Sequence, residues 1–186
     1  MCFASASGLA AAKTGGERGR GKTYPMPEIL THLLVDGSNV VQAWPDTRAL
    51  ARRDREAAKA LLLRRVAVLH DFSAWRVTVV FDGRGEELRV EAVGDSQNFA
   101  CVHTPAGATA DDIIEQLVGR ADEPASCLVA TADQAERATV EAAGAVWCDP
   151  EELAKRIEAA DTRQARAVAR GNAETERGWR RGGAGR

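Results

Sequence analysis

Short apolar runs that do not alternate with polar residues set the frame for this chain. Leu33-Leu34-Val35, Val77-Thr78-Val79-Val80-Phe81, Cys101-Val102-His103-Thr104 and Cys127-Leu128-Val129-Ala130-Thr131 are the clearest. A strand with one wet face alternates, whereas a continuous run marks a strand buried on both faces, as in parallel sheets covered by helices. Strands are expected near 31–35, 76–81, 99–103, 127–131 and 145–148, with a weaker one at 88–93. Helices are expected near 47–71, 109–119, 133–143 and 150–168. This alternation predicts an α/β chain: a mainly parallel sheet flanked by helices.

Each of the four runs leads to an aspartate. Asp36 and Asp82 follow their strands directly, Asp111 and Asp112 come after a short loop, and Asp133 follows Thr131-Ala132. In an open parallel sheet the carboxyl ends of the strands line one edge, and ligands bind in the crevice there. Carboxylates gathered at that edge repel one another unless some are protonated or a divalent cation holds them together. All-oxygen ligation suits Mg²⁺ or Mn²⁺, and phosphoryl transfer is the chemistry most often built on it. Taken singly, each aspartate has an ordinary explanation. Strand–Asp–Gly at Asp36-Gly37 and Asp82-Gly83 reads as a turn, with Gly37 supplying unusual φ. Thr109 and Asp133 read as helix N-caps, and Asp111 and Asp112 as first-turn acids that favour the helix dipole. Asn39 can hold Asp36 or a metal-bound water, and Glu115 shares a helix face with Asp111.

The 186 residues fit one domain with tails. No apolar run approaches the roughly 18 residues of a membrane span, so a membrane role is not expected. No Cys-x-x-Cys pair occurs, which argues against a zinc knuckle. Cys101, Cys127 and Cys148 are expected to be buried free thiols in a reducing cytoplasm. Charge is uneven. Residues 28–150 carry 12 Lys/Arg and 20 Asp/Glu, residues 1–27 carry 4 against 1, and residues 151–186 carry 9 against 6. An acidic middle with basic ends fits a metal site between arms that seek a polyanion.

Residues 1–27 read as a disordered basic leader without the apolar core of a signal peptide, and Met26 is a second candidate start. Within it, residues 16–23 match G-x-x-x-x-G-K-[ST]. No strand precedes them, and Pro25 and Pro27 bar the helix whose N-terminus must receive phosphates. The match is a coincidence of low complexity. Residues 28–158 form the expected domain and 159–186 a helix end with a basic tail. Along the helix expected at 47–71, Leu50, Ala57, Leu61 and Val68 share the apolar face. Arg48, Arg52, Arg55 and Lys59 line the opposite one. Those four cations make a rail for RNA backbone phosphates, joined by Arg177, Arg180 and Arg181 of the tail, where Trp179 could stack on a base. A solvated helix face is the plainer alternative.

Read together, Leu34-Val35-Asp36-Gly37-Ser38-Asn39-Val40-Val41, Trp44-Pro45, Val79-Val80-Phe81-Asp82, Ala108-Thr109-Ala110-Asp111-Asp112-Ile113-Ile114-Glu115 and Val129-Ala130-Thr131-Ala132-Asp133 resemble the YacP-like NYN ribonucleases of the PIN-like nuclease superfold. The resemblance spans about residues 30–155. It implies a Rossmann-like three-layer α/β/α fold and a Mg²⁺- or Mn²⁺-dependent endoribonuclease site. Asp36, Asp82, Asp111 and Asp133 take the acidic positions, Asn39 the supporting polar one, and Asp112 a metal-ligand position. It further implies hydrolysis that leaves 5′-phosphate and 3′-hydroxyl ends, and RNA as partner, in some members on the ribosome. Two positions depart from the pattern. Ser38 stands where the family often has an aromatic residue, so no base-stacking role is carried over. Asp112 is shorter than the common glutamate and would hold a second metal less firmly.

Other readings compete. An RNA- or ribosome-binding module with a degenerate or regulatory site would keep the fold without the chemistry. A haloacid-dehalogenase-type phosphatase needs a second aspartate two residues after the first, where this chain has Ser38. A dinucleotide-binding protein needs G-x-G-x-x-G after a strand, which is missing. Histidine-based cleavage also fits poorly, since His32, His70 and His103 are expected to be structural.

Overall fold

The computed structural model of the chain describes residues 32–73 and 75–182, and of residues 175 and 177–182 only the backbone. The leader, its P-loop-like segment and Met26 lie outside the described residues. Six strands form one sheet: β1 (His32–Asp36), β2 (Arg76–Gly85), β3 (Arg89–Ala92), β4 (Phe99–Pro105), β5 (Cys127–Ala130) and β6 (Val146–Cys148). Their order is β3-β4-β2-β1-β5-β6. Every pairing is parallel except β3 with β4, so the weak fully exposed segment forms the antiparallel edge.

The continuous apolar runs are buried on both faces, as their composition requires. Leu33, Val35, Val77, Val79, Phe81, Leu128 and Ala130 face one layer of helices. That layer comprises α1 (Gly37–Ala43), α2 (Pro45–Ala51), α3 (Arg55–Ser73) and the first turns of α6 (Pro150–Gly182). Leu34, Val80, Cys127 and Val129 face the other layer, built by α4 (Ala110–Gly119) and α5 (Gln134–Ala142). The fold is therefore a three-layer α/β/α sandwich with a mostly parallel sheet. From β1 the chain winds outward through β2 to β4, then crosses to β5 on the other side. The switch point lies between β1 and β5, at whose carboxyl ends open α/β sheets bind their ligands.

Four local expectations are corrected. Gly37 opens a helix rather than a turn, because Asp36 caps α1 through a 2.9 Å bond from the Asn39 amide to Oδ1. Its φ is not positive; it is glycine because a Cβ there would strike the Phe81 ring. The helix expected at 47–71 is two helices, since Asp54 restarts the chain by accepting from the Ala57 amide at 2.9 Å. The buried face of α3 is Ala58, Leu62, Val66 and Leu69, one position round from the expected stripe. The last helix also runs well past 168, to Gly182, and residues 161–172 on it are exposed.

Other expectations hold. Cys101, Cys127 and Cys148 are buried free thiols, and burial pushes Cys101 up to about 11 and Cys148 up to about 12. His32 bonds Thr78 at 2.9 Å, and burial lowers it to about 4. His70 sits between Asp71 and Ser96 and stacks on Phe99. Among the described residues no helix is long and apolar enough to cross a membrane.

Candidate metal centre

Strand parity decides which aspartates meet. Asp36 ends β1 on the same face as Leu34, and its register partner is Val80. Asp82, two residues after Val80, therefore points to that face as well. Both carboxylates rise on the side covered by α4 and α5, whose N-termini deliver the remaining acids.

α4 begins at the Thr109 N-cap, and Asp111 follows in the first turn. Asp82 Oδ1 accepts from the Ala110 amide at 3.0 Å, so the end of β2 fixes the start of α4. α5 begins at Asp133, whose Oδ1 accepts from the amides of Ala135 at 2.7 Å and Glu136 at 3.3 Å. That first turn carries Glu136 beneath it, 2% exposed. Oxygens of Asp36, Asp111 and Glu136 lie within 4.8 Å of one another.

Burial and mutual repulsion show in the proton affinities. Asp36 is 4% exposed; its pKa is raised to about 6, chiefly by burial and further by Asp111 and Asp82. The amide and side chain of Asn39 act in the opposite sense on Asp36. Asp111 is raised by burial and by Asp133 and Asp82, with Glu115 contributing least. Glu136 is raised to about 8, again by burial first and then by Asp111, Asp36 and Asp133. Thr131 lies beside the Glu136 carboxyl and favours its charge, but does not reach hydrogen-bonding geometry. Both Glu136 oxygens are thus buried without a hydrogen-bond partner among the described residues. Buried carboxyl oxygens left bare are rare in folded proteins. A hard cation between the three carboxylates would supply the missing partner, so the donor set fits one.

The residues named from the sequence fall into three groups. Asp36 and Asp111 join the cluster, while Asp82, Asp133 and Asn39 border it, Asp82 and Asp133 adding their charge. Asp112 is fully exposed; its Oδ2 accepts from the Thr109 amide at 2.8 Å and completes a capping box with the Thr109 hydroxyl. Glu136, the most buried acid, was not among the residues named. The one hint was its place three residues after Asp133, which reads equally as an ordinary first-turn acid.

Apart from the acids, Arg48, Arg52, Arg55 and Lys59 border a single cleft despite the break between α2 and α3. Arg177, Arg180 and Arg181 belong to the stretch whose side chains lie outside the described residues, as does Trp179.

Comparison with known proteins agrees with this geometry. The YacP-like NYN domain model matches residues 33–181. The "Uncharacterized protein YacP" of Bacillus subtilis (strain 168) is 31% identical over 137 residues, covering 73% of this chain and 80% of that protein. Two crystal structures of Rae1 (YacP) from Bacillus subtilis are similar. A mutant form superposes with a TM-score of 0.63 at 31% identity, covering 77% of this chain and 85% of that one. The other gives 0.62 at 29% identity, covering 78% and 84%. Motifs, sheet order and acidic cluster agree with a match over most of the chain: this protein belongs to the YacP-like NYN domain family, a nuclease-like group.

Proposed function

We propose that the protein is a metal-dependent endoribonuclease. The observation that carries this reading is the trio Asp36, Asp111 and Glu136, held within 4.8 Å with the Glu136 oxygens bare and buried. Asp36, Asp111 and Glu136 would hold Mg²⁺ or Mn²⁺, with Asp82 and Asp133 at the rim. A bound cation of this kind lowers the pKa of water and offsets the charge of a phosphodiester.

The chain's own residues supply the rest. Asn39 keeps the Asp36 carboxyl oriented through its amide and side chain. Asp82 ties β2 to α4, which fixes Asp111 relative to Asp36. Burial and crowding leave the cluster partly protonated near neutral pH, so cation binding displaces protons from Asp36 and Glu136. Histidine has no part, because His32 and His70 hold structural partners and His103 is depressed by burial and by Lys59 and Arg89. RNA is the substrate that the family supports, and a cytoplasmic setting with ribosome-associated mRNA is the finer form of the same reading.

The test is incubation of labelled structured and unstructured RNAs with and without Mn²⁺, for wild type and Asp36→Asn, followed by sequencing of the ends. Internal cuts that need both Mn²⁺ and Asp36 and leave 5′-phosphates support the reading. RNA binding with no metal-dependent cut would make the protein a binding module.

A further inference from the structure

The cleft that holds the basic rail has a second wall. It has a volume of about 860 Å³ and runs from the ends of β2 and β4 to α2 and α3. Arg48, Arg52, Arg55 and Lys59 stand on the helical side, and Arg84 and Arg89 on the β2–β3 side, where no sequence periodicity points to them. Six cations line the cleft with three carboxylates, Glu56, Glu87 and Asp82, in a chain whose net charge is −2; Lys59 pairs with Glu56 at 3.0 Å, and Arg89 with Glu91 at 2.9 Å. Ser38 and Asp82 also line the cleft, and Ser38 Oγ accepts from the Asp82 amide at 3.3 Å. The basic cleft therefore shares Asp82 with the rim of the acidic cluster.

The far side of the cluster is different. α4 carries Asp111, Asp112 and Glu115 and no Lys or Arg. On α5 the single cation is Arg137, which pairs with Glu141 at 3.1 Å and lies over the Trp147 ring at 4.0 Å. A polyanion crossing this edge meets cations on one side of the acids and carboxylates on the other.

We infer that the cleft holds the backbone of one RNA strand on a single side of the scissile phosphate, gripped between Arg48, Arg52 and Arg55 on one wall and Arg84 and Arg89 on the other. The nature of the polyanion rests on the nuclease reading above. A single strand is the occupant because Asp36 and Glu136 are 4% and 2% exposed. Only an unpaired, splayed backbone brings a phosphate down to acids so deep; a duplex presents its phosphates on a broad convex surface. The grip is sequence-blind, since phosphate contacts carry no base information.

Two measurements test this. First, RNAs sharing one cut site are shortened stepwise from either end and cleaved by the wild-type protein with Mn²⁺. Loss of the cleft-side nucleotides should slow cleavage by on the order of tenfold or more, and loss of the other side should change little. Equal losses from both ends would overturn the one-sided grip while leaving the nuclease reading intact. Second, binding of the uncut RNA to Asp36→Asn is titrated with salt, alone and with Arg84→Gln and Arg89→Gln added. The slope of log K against log salt should fall by about 0.7 for each phosphate that is no longer neutralised. An unchanged slope, or competition by duplex RNA equal to that by single strand, would overturn the proposal. A lowered slope without any metal-dependent cutting would sustain the cleft and sink the nuclease.

Discussion

Asp36 and Glu136, a hundred positions apart in the chain, bring carboxyl oxygens within 4.8 Å of each other where β1 ends and α5 begins. Neither position alone is unusual; their meeting is. Glu136→Gln keeps the shape and removes the charge. Well above its raised value of about 8, the substitution should raise the melting temperature of the metal-free protein, since the buried carboxylate no longer has to ionise. It should also abolish the stabilisation by Mn²⁺ and the cleavage of RNA. Thermal melts with and without Mn²⁺ decide it: an undiminished metal-induced shift would remove Glu136 from the site.

The same raised values give a pH dependence. A carboxyl whose folded pKa lies above its unfolded value keeps its proton longer in the folded state, so stability falls as pH rises between the two. For Asp36 the window runs from about 3.8 to about 6, and for Glu136 from about 4.5 to about 8. His32, lowered from 6.5 to about 4, works in the opposite sense below 6.5. The clean interval is therefore from about 6.5 to 8, where the metal-free protein should lose stability as pH rises. Each kcal/mol lost moves the melting temperature by roughly 2–4 °C at this chain length. Saturating Mn²⁺ should flatten the slope. Melting temperatures that rise with pH over this interval would contradict the raised Glu136.

Neighbouring aspartates on α4 should separate cleanly. Asp111 faces the cluster, whereas Asp112 is exposed and completes the capping box with Thr109. Asp111→Asn should eliminate cleavage at unchanged or higher metal-free stability. Asp112→Ala should lower the melting temperature slightly through the lost cap and leave cleavage near wild type. Parallel assays of both variants check this, and loss of activity in Asp112→Ala would bring that carboxylate back to the metal.

How much of this was legible beforehand follows from range. Continuous apolar runs report burial on both faces, so strand positions and the parallel sheet could be read directly. Asp36 and Asp82 were legible as acids at strand ends, and Asp111 and Asp133 as acids at helix starts that follow a strand. Glu136 was not, because a first-turn acid is buried or solvated according to where the helix sits on the sheet. The break at Asp54 hid behind a cationic periodicity that continues across it, since both helices border one cleft. The start of α1 hid behind Gly37, whose role is close approach to Phe81 rather than a turn.

Gly83 plays the corresponding part on β2. A Cβ there would run into the Thr104 carbonyl, and its own amide donates to the Thr104 hydroxyl at 3.0 Å. Gly83→Ala should force β2 and β4 apart beside Asp82, costing about 1–3 kcal/mol as overpacking does. Because the neighbour is backbone rather than a flexible side chain, relaxation must displace the strand end. Cleavage should fall together with the melting temperature. A variant as stable as wild type would show that the strand ends yield more easily than their geometry implies.

Asp82 has two tasks that a pair of substitutions can separate. Its charge helps raise Asp36 and Asp111, and its Oδ1 holds the Ala110 amide at the start of α4. Asp82→Asn retains an acceptor oxygen and drops the charge, so the metal-free protein should melt at the same temperature or higher while cleavage disappears. Asp82→Ala removes both, leaving the Ala110 amide without its partner, and should cost about 1 kcal/mol as the loss of a helix cap does. The comparison is made by metal-free melting curves and by cleavage of one labelled RNA. If Asn lowers the melting temperature as much as Ala, the charge has no destabilising effect and Asp82 is a structural cap. If Asn melts higher and is inactive, repulsion among the acids is the condition that a cation relieves.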